Sequence, residues 1–455
     1  MTPPADLTGA IVETARQLRL DDLPPDAVET IKLAILDCLA CTVAGSRTDV
    51  GQKAARWATG LGGHGEATIV GTDLRAPAAL AAFANAVAGH ALDYDDVSLN
   101  MTHPSVSLVP ALLATAEARG LDGRAVIEAY AAGFEVEARI CRALNPEHYE
   151  RGWHTTGTIG VLGAAVSAAR LAGLDDEATR WALGMAASSA TGIRKNFGTM
   201  VKPLHAGQSV WHGMQAVSLA GIGFTASPSI MEGRNGYLHV FARPEAGDLL
   251  TEAFRPGAAL ELTTSGIGLK RFACCGALHT AQDAILDMLA TEGFTAADVV
   301  AMECRVNPLA PHILIHHVTQ DGLEGKFSVE YSLAVCLLDG RAGLGQYTDE
   351  RAADPELLRL QEATTVVTDP DLPVNLSFFP TVVTVRLRDG REVRRRVDAP
   401  RGYPHEPLSR AEVVEKALDC CAGTLTERAT HDLADRVLSL EKCDDVSEIA
   451  RLLRA

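Results

Sequence analysis

Residues Gly192–Gln208, GIRKNFGTMVKPLHAGQ, separate two stretches of helix-packing sequence, ALGMAASSAT at 182–191 and SVWHGMQAVSLAGIG at 209–223. Both flanks are rich in small residues, which favour helix and let helices approach closely. Between them the apolar period breaks, and Arg194, Lys195, Asn196, Lys202 and His205 arrive together with Gly198, Pro203 and Gly207. Cations placed where buried helices stop are costly unless an anion meets them. A carboxylate or phosphate ligand is the expected partner, which points to an enzyme pocket in a helical protein.

Outward from this break the helical period continues. It runs through Ala27–Ala44, opened by Pro25 and stopped by Gly45, then Pro77–Asp93, Ser105–Arg119, Gly123–Leu144, Thr158–Leu171, Asp176–Ala190 and Ser209–Ala226. Near Gly266 the character changes. Val299–Val306 is strand-like, and Thr381–Leu387 and Arg391–Val397 flank Asp389-Gly390, a two-residue hairpin signal. Helices are expected at Thr280–Thr291 and Val329–Asp339, and the helical pattern returns through Ser409–Ala422 and Ala429–Leu453. The fold is therefore read as mainly α. A large all-helical domain is built from both chain ends (1–266 and 403–455), with a smaller α+β lid domain (267–402) inserted between them.

The 455-residue length fits two or three domains, and no repeat of fixed period occurs. A formal charge of −17 argues against nucleic acid, which needs a basic face. It also obliges an anionic substrate to find cations gathered locally, as they are around Lys202. The longest small-apolar stretch, Ile159–Leu174, is interrupted by Arg170 and is too short to span a bilayer. Ten scattered cysteines, and an opening MTPPADLTG without a basic start and apolar run, lead to the expectation of a reduced, cytoplasmic protein. Cys38 and Cys41 form a CxxC inside the amphipathic IKLAILDCLACTVAG and are read as core packing.

Four polar clusters interrupt the packed pattern: ALDYDDVSLNMTHPS at 91–105, RGWHTTGT at 151–158, the 192–208 segment, and GLKRFACCGALHTAQDA at 268–284. Together they offer carboxylates, imidazoles and cations but no phosphate cradle. No Walker pattern, GxSxG elbow or kinase set is present, and the glycines of GLGGHGEATIVG do not follow a strand. What remains suits proton transfer beside a carboxylate, with histidine moving the proton and lysine or arginine stabilising the enolate charge. Such chemistry needs no cofactor. Structural rivals stand beside the functional readings: a solvated helix end for Asp93–Asp96, a helix cap for His103, a surface lysine at 202 and buried packing for Cys274-Cys275, while His154 precedes two threonines at a helix N-terminus, where backbone N–H groups attract anions. HILIHH places His312 and His316 four apart, but the glutamate of HExxH is missing and no third ligand is evident, so no metal is expected.

HALDYDD followed by THPS, then GWHTTGT, NFGTMVKPLHAG, MEGRNGY and KRFACCGALH, in this order and spacing, resemble the MmgE/PrpD family over essentially the whole chain. The resemblance implies a homodimer with a helical domain from both termini and an inserted α+β lid. Members include 2-methylcitrate dehydratase, cis-aconitate decarboxylase and an iminodisuccinate epimerase, all moving a proton near carboxylates without metal or organic cofactor. It marks Asp93, His103, His154, Lys202 and Lys270 as the catalytic set, with His154 or His103 as acid and base and the two lysines holding substrate carboxylates. Thr155, Arg194, Asn196, His205, Cys275 and His279, from the same clusters, are expected to touch substrate. In decarboxylase-like members a histidine stands five residues after the lysine matching Lys270, where this chain has Cys275. A lyase acting on a small di- or tricarboxylate, with water loss favoured over decarboxylation, is the first expectation. An epimerase of an amino- or imino-dicarboxylate is the alternative, and a non-catalytic ligand-binding scaffold the third.

Overall fold

Small side chains set how closely the longest helices meet. In the computed structural model, which describes residues 6–243, 245–374 and 378–454, the helix Val201–Gly221 packs on both Ala78–His90 and Gly160–Ala172. A Cβ on Gly213 would lie 2.8 Å from the Cβ of Ala164, and one on Gly207 2.5 Å from Val87 Cγ2, so glycine is what the contact admits. Pro104–Arg119 and Gly123–Leu144 close the packing around them, and a core of Ile140, Leu144, Ile159, Leu162, Leu183 and Phe254 fills the space between elements. The described residues are mostly helical, with a small sheet, and no helix among them is long and apolar enough to cross a membrane.

The chain divides into two compact units, Met1–Ile267 with Arg410–Ala455, and Gly268–Ser409. In the first, the C-terminal helix Arg410–Cys421 returns to pack on Pro25–Ser46. Lys416 makes that contact specific. Its ammonium lies 2.6 Å from Asp37 Oδ1, donates to the Tyr94 carbonyl at 2.8 Å and sits 3.9 Å from the centre of the Tyr94 ring. All three residues are buried.

In the second unit four strands, β1 (Val299–Val306), β2 (Thr364–Thr368), β3 (Thr381–Leu387) and β4 (Glu392–Val397), form one sheet in the order β2-β1-β3-β4. β1 runs parallel to β2 and antiparallel to β3, and β3–β4 is the hairpin turned by Asp389-Gly390. Helix His279–Glu292 packs on β3 and β4, and Val329–Asp339 packs between that helix and Pro355–Glu362.

Several expected boundaries shift for physical reasons. The helix expected from Ser209 begins at Val201, because Pro203 falls in its first turn, where a missing N–H costs nothing. Lys202 and His205 therefore stand on a helix. Pro77–Asp93 stops at His90, which releases Asp93, Asp95 and Asp96 from helical geometry. Thr158–Leu171 divides into a single turn, Thr155–Thr158, and Gly160–Ala172. The expected Ala429–Leu453 helix breaks after Leu438 and resumes at Ser447, whose N–H and hydroxyl both donate to Asp445.

Removing Lys416 leaves the Asp37 carboxylate buried without its ammonium. Lys416→Met is expected to lower stability by about 3–5 kcal/mol in urea denaturation, and the double variant Asp37→Leu/Lys416→Met to lose less. A single variant with the wild-type midpoint would contradict this.

Candidate active site

Beyond His90 the backbone turns sharply, with Asp93 in the left-handed region at φ 52°. Aspartate tolerates this conformation at a cost on the order of 1 kcal/mol. The turn points the Asp93 carboxylate at Lys202, whose Nζ donates to Oδ1 at 2.8 Å. His103 stands at the N-cap of Pro104–Arg119 but makes no side-chain cap bond. Its ring instead places Nδ1 3.3 Å from Asp95 Oδ2 and Nε2 3.9 Å from Asp93 Oδ1. His154 precedes the turn Thr155–Thr158, and its backbone N–H donates to the Gly192 carbonyl at 3.0 Å, fastening the 192–200 segment beside it. Its Nδ1 faces His205 Nδ1 at 3.1 Å.

A further histidine completes the group. His90 is 1% exposed, and its Nδ1 donates to Asp95 at 2.9 Å. Its ring centre lies 4.5 Å from that of His103 and 5.7 Å from that of His154. Phe197 meets His154 edge-on at 4.9 Å and lies 5.3 Å from the Lys202 ammonium.

Burial decides the protonation of this cluster. It pushes His154 well below the ordinary imidazole range, and His90, Lys202, His103 and His205 add to the effect. His90 is lowered to about 4 by burial, which Asp95 offsets only in part, and His205 to about 4 by burial and His90. Burial alone would raise Asp95, but His90 and His103 hold it well below the usual carboxylate range. The result at neutral pH is three uncharged imidazoles, an ionised Asp95 and the Asp93–Lys202 pair. Neutral imidazoles accept protons, and an adjacent ammonium stabilises an enolate formed from a carboxylate.

His90, Asp93, Asp95 and His103 each bring one ligand atom within 4.8 Å of the others, a donor set that suits a divalent ion. Two features weigh against that use. The Lys202 ammonium lies 2.8 Å from Asp93, and Asp95 is engaged by both imidazoles.

Of the residues singled out from sequence, Asp93, His103, His154, Lys202 and His205 come together here. Thr155 turns its hydroxyl to the Met101 carbonyl and fastens the loop before His103. The Arg194 guanidinium lies 3.6 Å from the centre of the Tyr149 ring, and Nη1 donates to the Tyr149 carbonyl at 2.8 Å. The Asn196 carbonyl accepts from Thr199. Lys270, Cys275 and His279 belong to the second unit, where Lys270 and His279 are buried and the Cys275 N–H donates to the Lys326 carbonyl at 3.1 Å. There Cys274 donates its thiol to Gln282 at 3.2 Å and is pushed up to about 12 by burial, as expected of a packing cysteine.

His90 and Glu137 were not singled out from sequence, and Asp95 was named only as one of the carboxylates of the 91–105 cluster, not among the expected site residues. Glu137 sits in Gly123–Leu144, fully buried, and accepts from the Thr102 hydroxyl at 2.7 Å and the Ser107 hydroxyl at 3.2 Å. Burial raises it to about 8, the two hydroxyls offsetting only part. The available signal for His90 was a histidine ending AALAAFANAVAGH, a helix otherwise almost without polar residues.

These shifts give stability a defined pH dependence. Unfolded, His90 and His205 take up protons near the ordinary 6.5, whereas folded they do so only near 4. Their contribution is full above 6.5 and is lost as pH falls toward 4. Glu137 acts oppositely. Folded it keeps its proton up to about 8, and unfolded it releases it near 4.5, so its contribution is lost as pH rises through that window. The urea midpoint is expected to climb from pH 4 to 6.5, where two imidazoles outweigh one carboxyl, and to decline toward pH 8. Glu137→Gln should lessen the decline, to which the buried Asp96 carboxyl, also raised by burial, adds, and a wild-type midpoint still climbing at pH 8 would contradict the assignment.

Comparison with known proteins places the chain among known relatives. Cis-aconitate decarboxylase from Mus musculus is 26% identical over 452 residues, covering 96% of this chain and 91% of the mouse protein. The Homo sapiens cis-aconitate decarboxylase is 26% identical, covering 98% of this chain and 94% of its own, and that of Aspergillus terreus (strain NIH 2624 / FGSC A1156) 26%, covering 98% and 96%. The MmgE/PrpD N-terminal domain family matches residues 9–248 and the MmgE/PrpD C-terminal domain family residues 272–442. With both domain families matched in order along most of its length, the chain belongs to the MmgE/PrpD family.

Proposed function

We propose that the protein is a lyase that removes a proton beside a carboxylate of a small tricarboxylate and expels water from the neighbouring carbon. The observation that carries this reading is the meeting of uncharged, buried His154, His90 and His205 with the partly exposed His103 and Asp93–Lys202 pair in one cluster. An uncharged imidazole is the form that accepts a proton from carbon. Lys202 stabilises the enolate that forms, and the abstracted proton can return to the leaving hydroxyl. Lys270 is proposed, from the family resemblance, as a second cation for substrate carboxylates. The inserted lid, the homodimer and the cytoplasmic location that were expected from sequence are part of the same proposal, and sedimentation velocity tests the dimer.

Decarboxylation is the second reading, favoured by the names of the relatives in mouse, human and Aspergillus. It requires a proton donor for the carbanion left by carbon dioxide. Cys275 stands where the resemblance places a histidine in decarboxylase-like members.

Proton NMR in D₂O with 2-methylcitrate, cis-aconitate and iminodisuccinate separates the readings. Deuterium entering a carbon beside a carboxylate, together with an unsaturated product and released water, is the expected result. Carbon dioxide release would establish the second reading, and exchange with inversion would establish an epimerase. Lys202→Ala should slow the reaction about 100-fold or more. No exchange with any of the three compounds would overturn the proposal.

A further inference from the structure

We propose that Asp95 is a positioning residue that makes His103, rather than His154, the imidazole receiving the substrate proton, and that His90 holds Asp95 in place. This rests on the proton-transfer reading given above.

Asp95 is fully buried, and one of its oxygens, Oδ2, serves both rings: His90 Nδ1 lies 2.9 Å away and His103 Nδ1 3.3 Å away. An ionised carboxylate only accepts, so both rings must turn an Nδ1–H toward it, and a ring that holds a single proton there carries its lone pair at Nε2. The His103 contact is bent off the line of a full hydrogen bond, and His103 Nδ1 has no other hydrogen-bond partner among the described residues. Contacts of this kind tighten once substrate is bound.

The two rings differ in access. The His103 side chain is 15% exposed, and its Nε2 lies on the side of Asp93, 3.9 Å from Oδ1, beside the Asp93–Lys202 pair. The His90 side chain has no exposure, and its Nε2 is buried with no partner among the described residues. An unpaired buried nitrogen is a standing cost to the fold. The bond from Nδ1 to Asp95 gives the fold a reason to keep a histidine there. His154 lacks this support, because its Nδ1 faces another imidazole, His205, and no carboxylate. The charged and titratable groups facing His103 are His90 from the helix before it, Asp93 and Asp95 from the turn, His154 from the following turn and Lys202 from the 201–221 helix.

In the proposed step, the C–H electron pair moves into the enolate and His103 Nε2 takes the proton. The Nδ1–H stays directed at Asp95, which stabilises the imidazolium. Asp95 touches no substrate atom and acts only through His103.

The test begins without substrate. In ¹⁵N-histidine NMR of the full-length wild type, assigned with His90→Gln and His103→Gln, both rings are expected to be protonated at Nδ1 and bare at Nε2. An Nε2-protonated His103 would overturn the proposal, whatever the protein turns over. Asp95→Asn should then shift the His103 nitrogen signals and lower kcat about 10²–10⁴-fold with little change in KM. Asp95→Asn with wild-type kcat and an unmoved pH profile would also overturn it. If that variant fails to fold, the wild-type tautomers still decide. A wild type that exchanges no tricarboxylate proton would count against the function proposed above, and the tautomers would judge Asp95 independently.

Discussion

The buried ammonium of Lys416 is the contact on which the first unit depends. It joins the returning C-terminal helix to Asp37 in Pro25–Ser46, and through the Tyr94 carbonyl it supports the turn that carries Asp93 and Asp95. A carboxylate and an ammonium taken out of water stabilise a fold only when both find full partners. Here the ammonium has a carboxylate, a carbonyl and an aromatic face. The ends of the chain are thus brought together at the base of the candidate site, and Asp93 can occupy the left-handed conformation that sends its carboxylate to Lys202.

Above that base, charge is arranged sparingly. The chain carries a net charge of −17, yet the cluster of His90, His103, His154 and His205 is joined by one ammonium, from Lys202. Burial keeps most of these imidazoles uncharged, which suits them to receive protons rather than to hold anions. The ammonium beside them is paired with Asp93. The uncharged state of the imidazoles follows from desolvation, which disfavours a charged imidazole much as it disfavours any buried ion.

Periodicity made much of the fold legible. Gly123–Leu144, Val329–Asp339, Val299–Val306 and Thr381–Leu387 have in the structure the bounds their patterns predict, because each carries a sustained apolar period between clear stops. The expected start at Ser209 missed Val201 for a specific cause: lysine and proline in a first turn, with histidine just after, look like a loop, although a helix start accepts all three. The polar motifs drew attention to Asp93, His103, His154, Lys202 and His205, which interrupt apolar sequence. Glu137 was hidden for the opposite reason. On an amphipathic helix a glutamate reads as part of the solvated face, and only the packing places it under Thr102 and Ser107. His90 and Asp95 needed the turn after residue 90 before their bond could be seen.

Calorimetric titration of the protein at pH 7 with propane-1,2,3-tricarboxylate, in two buffers of different ionisation enthalpy, tests the central claim most directly. This tricarboxylate has no hydroxyl to lose and therefore only binds. An anion entering beside uncharged imidazoles should raise their proton affinity, so binding is predicted to draw protons from the buffer and to show different heats in the two buffers. Binding with equal heats in both buffers, or no binding, would contradict the picture of a pocket of uncharged imidazoles built for a small tricarboxylate.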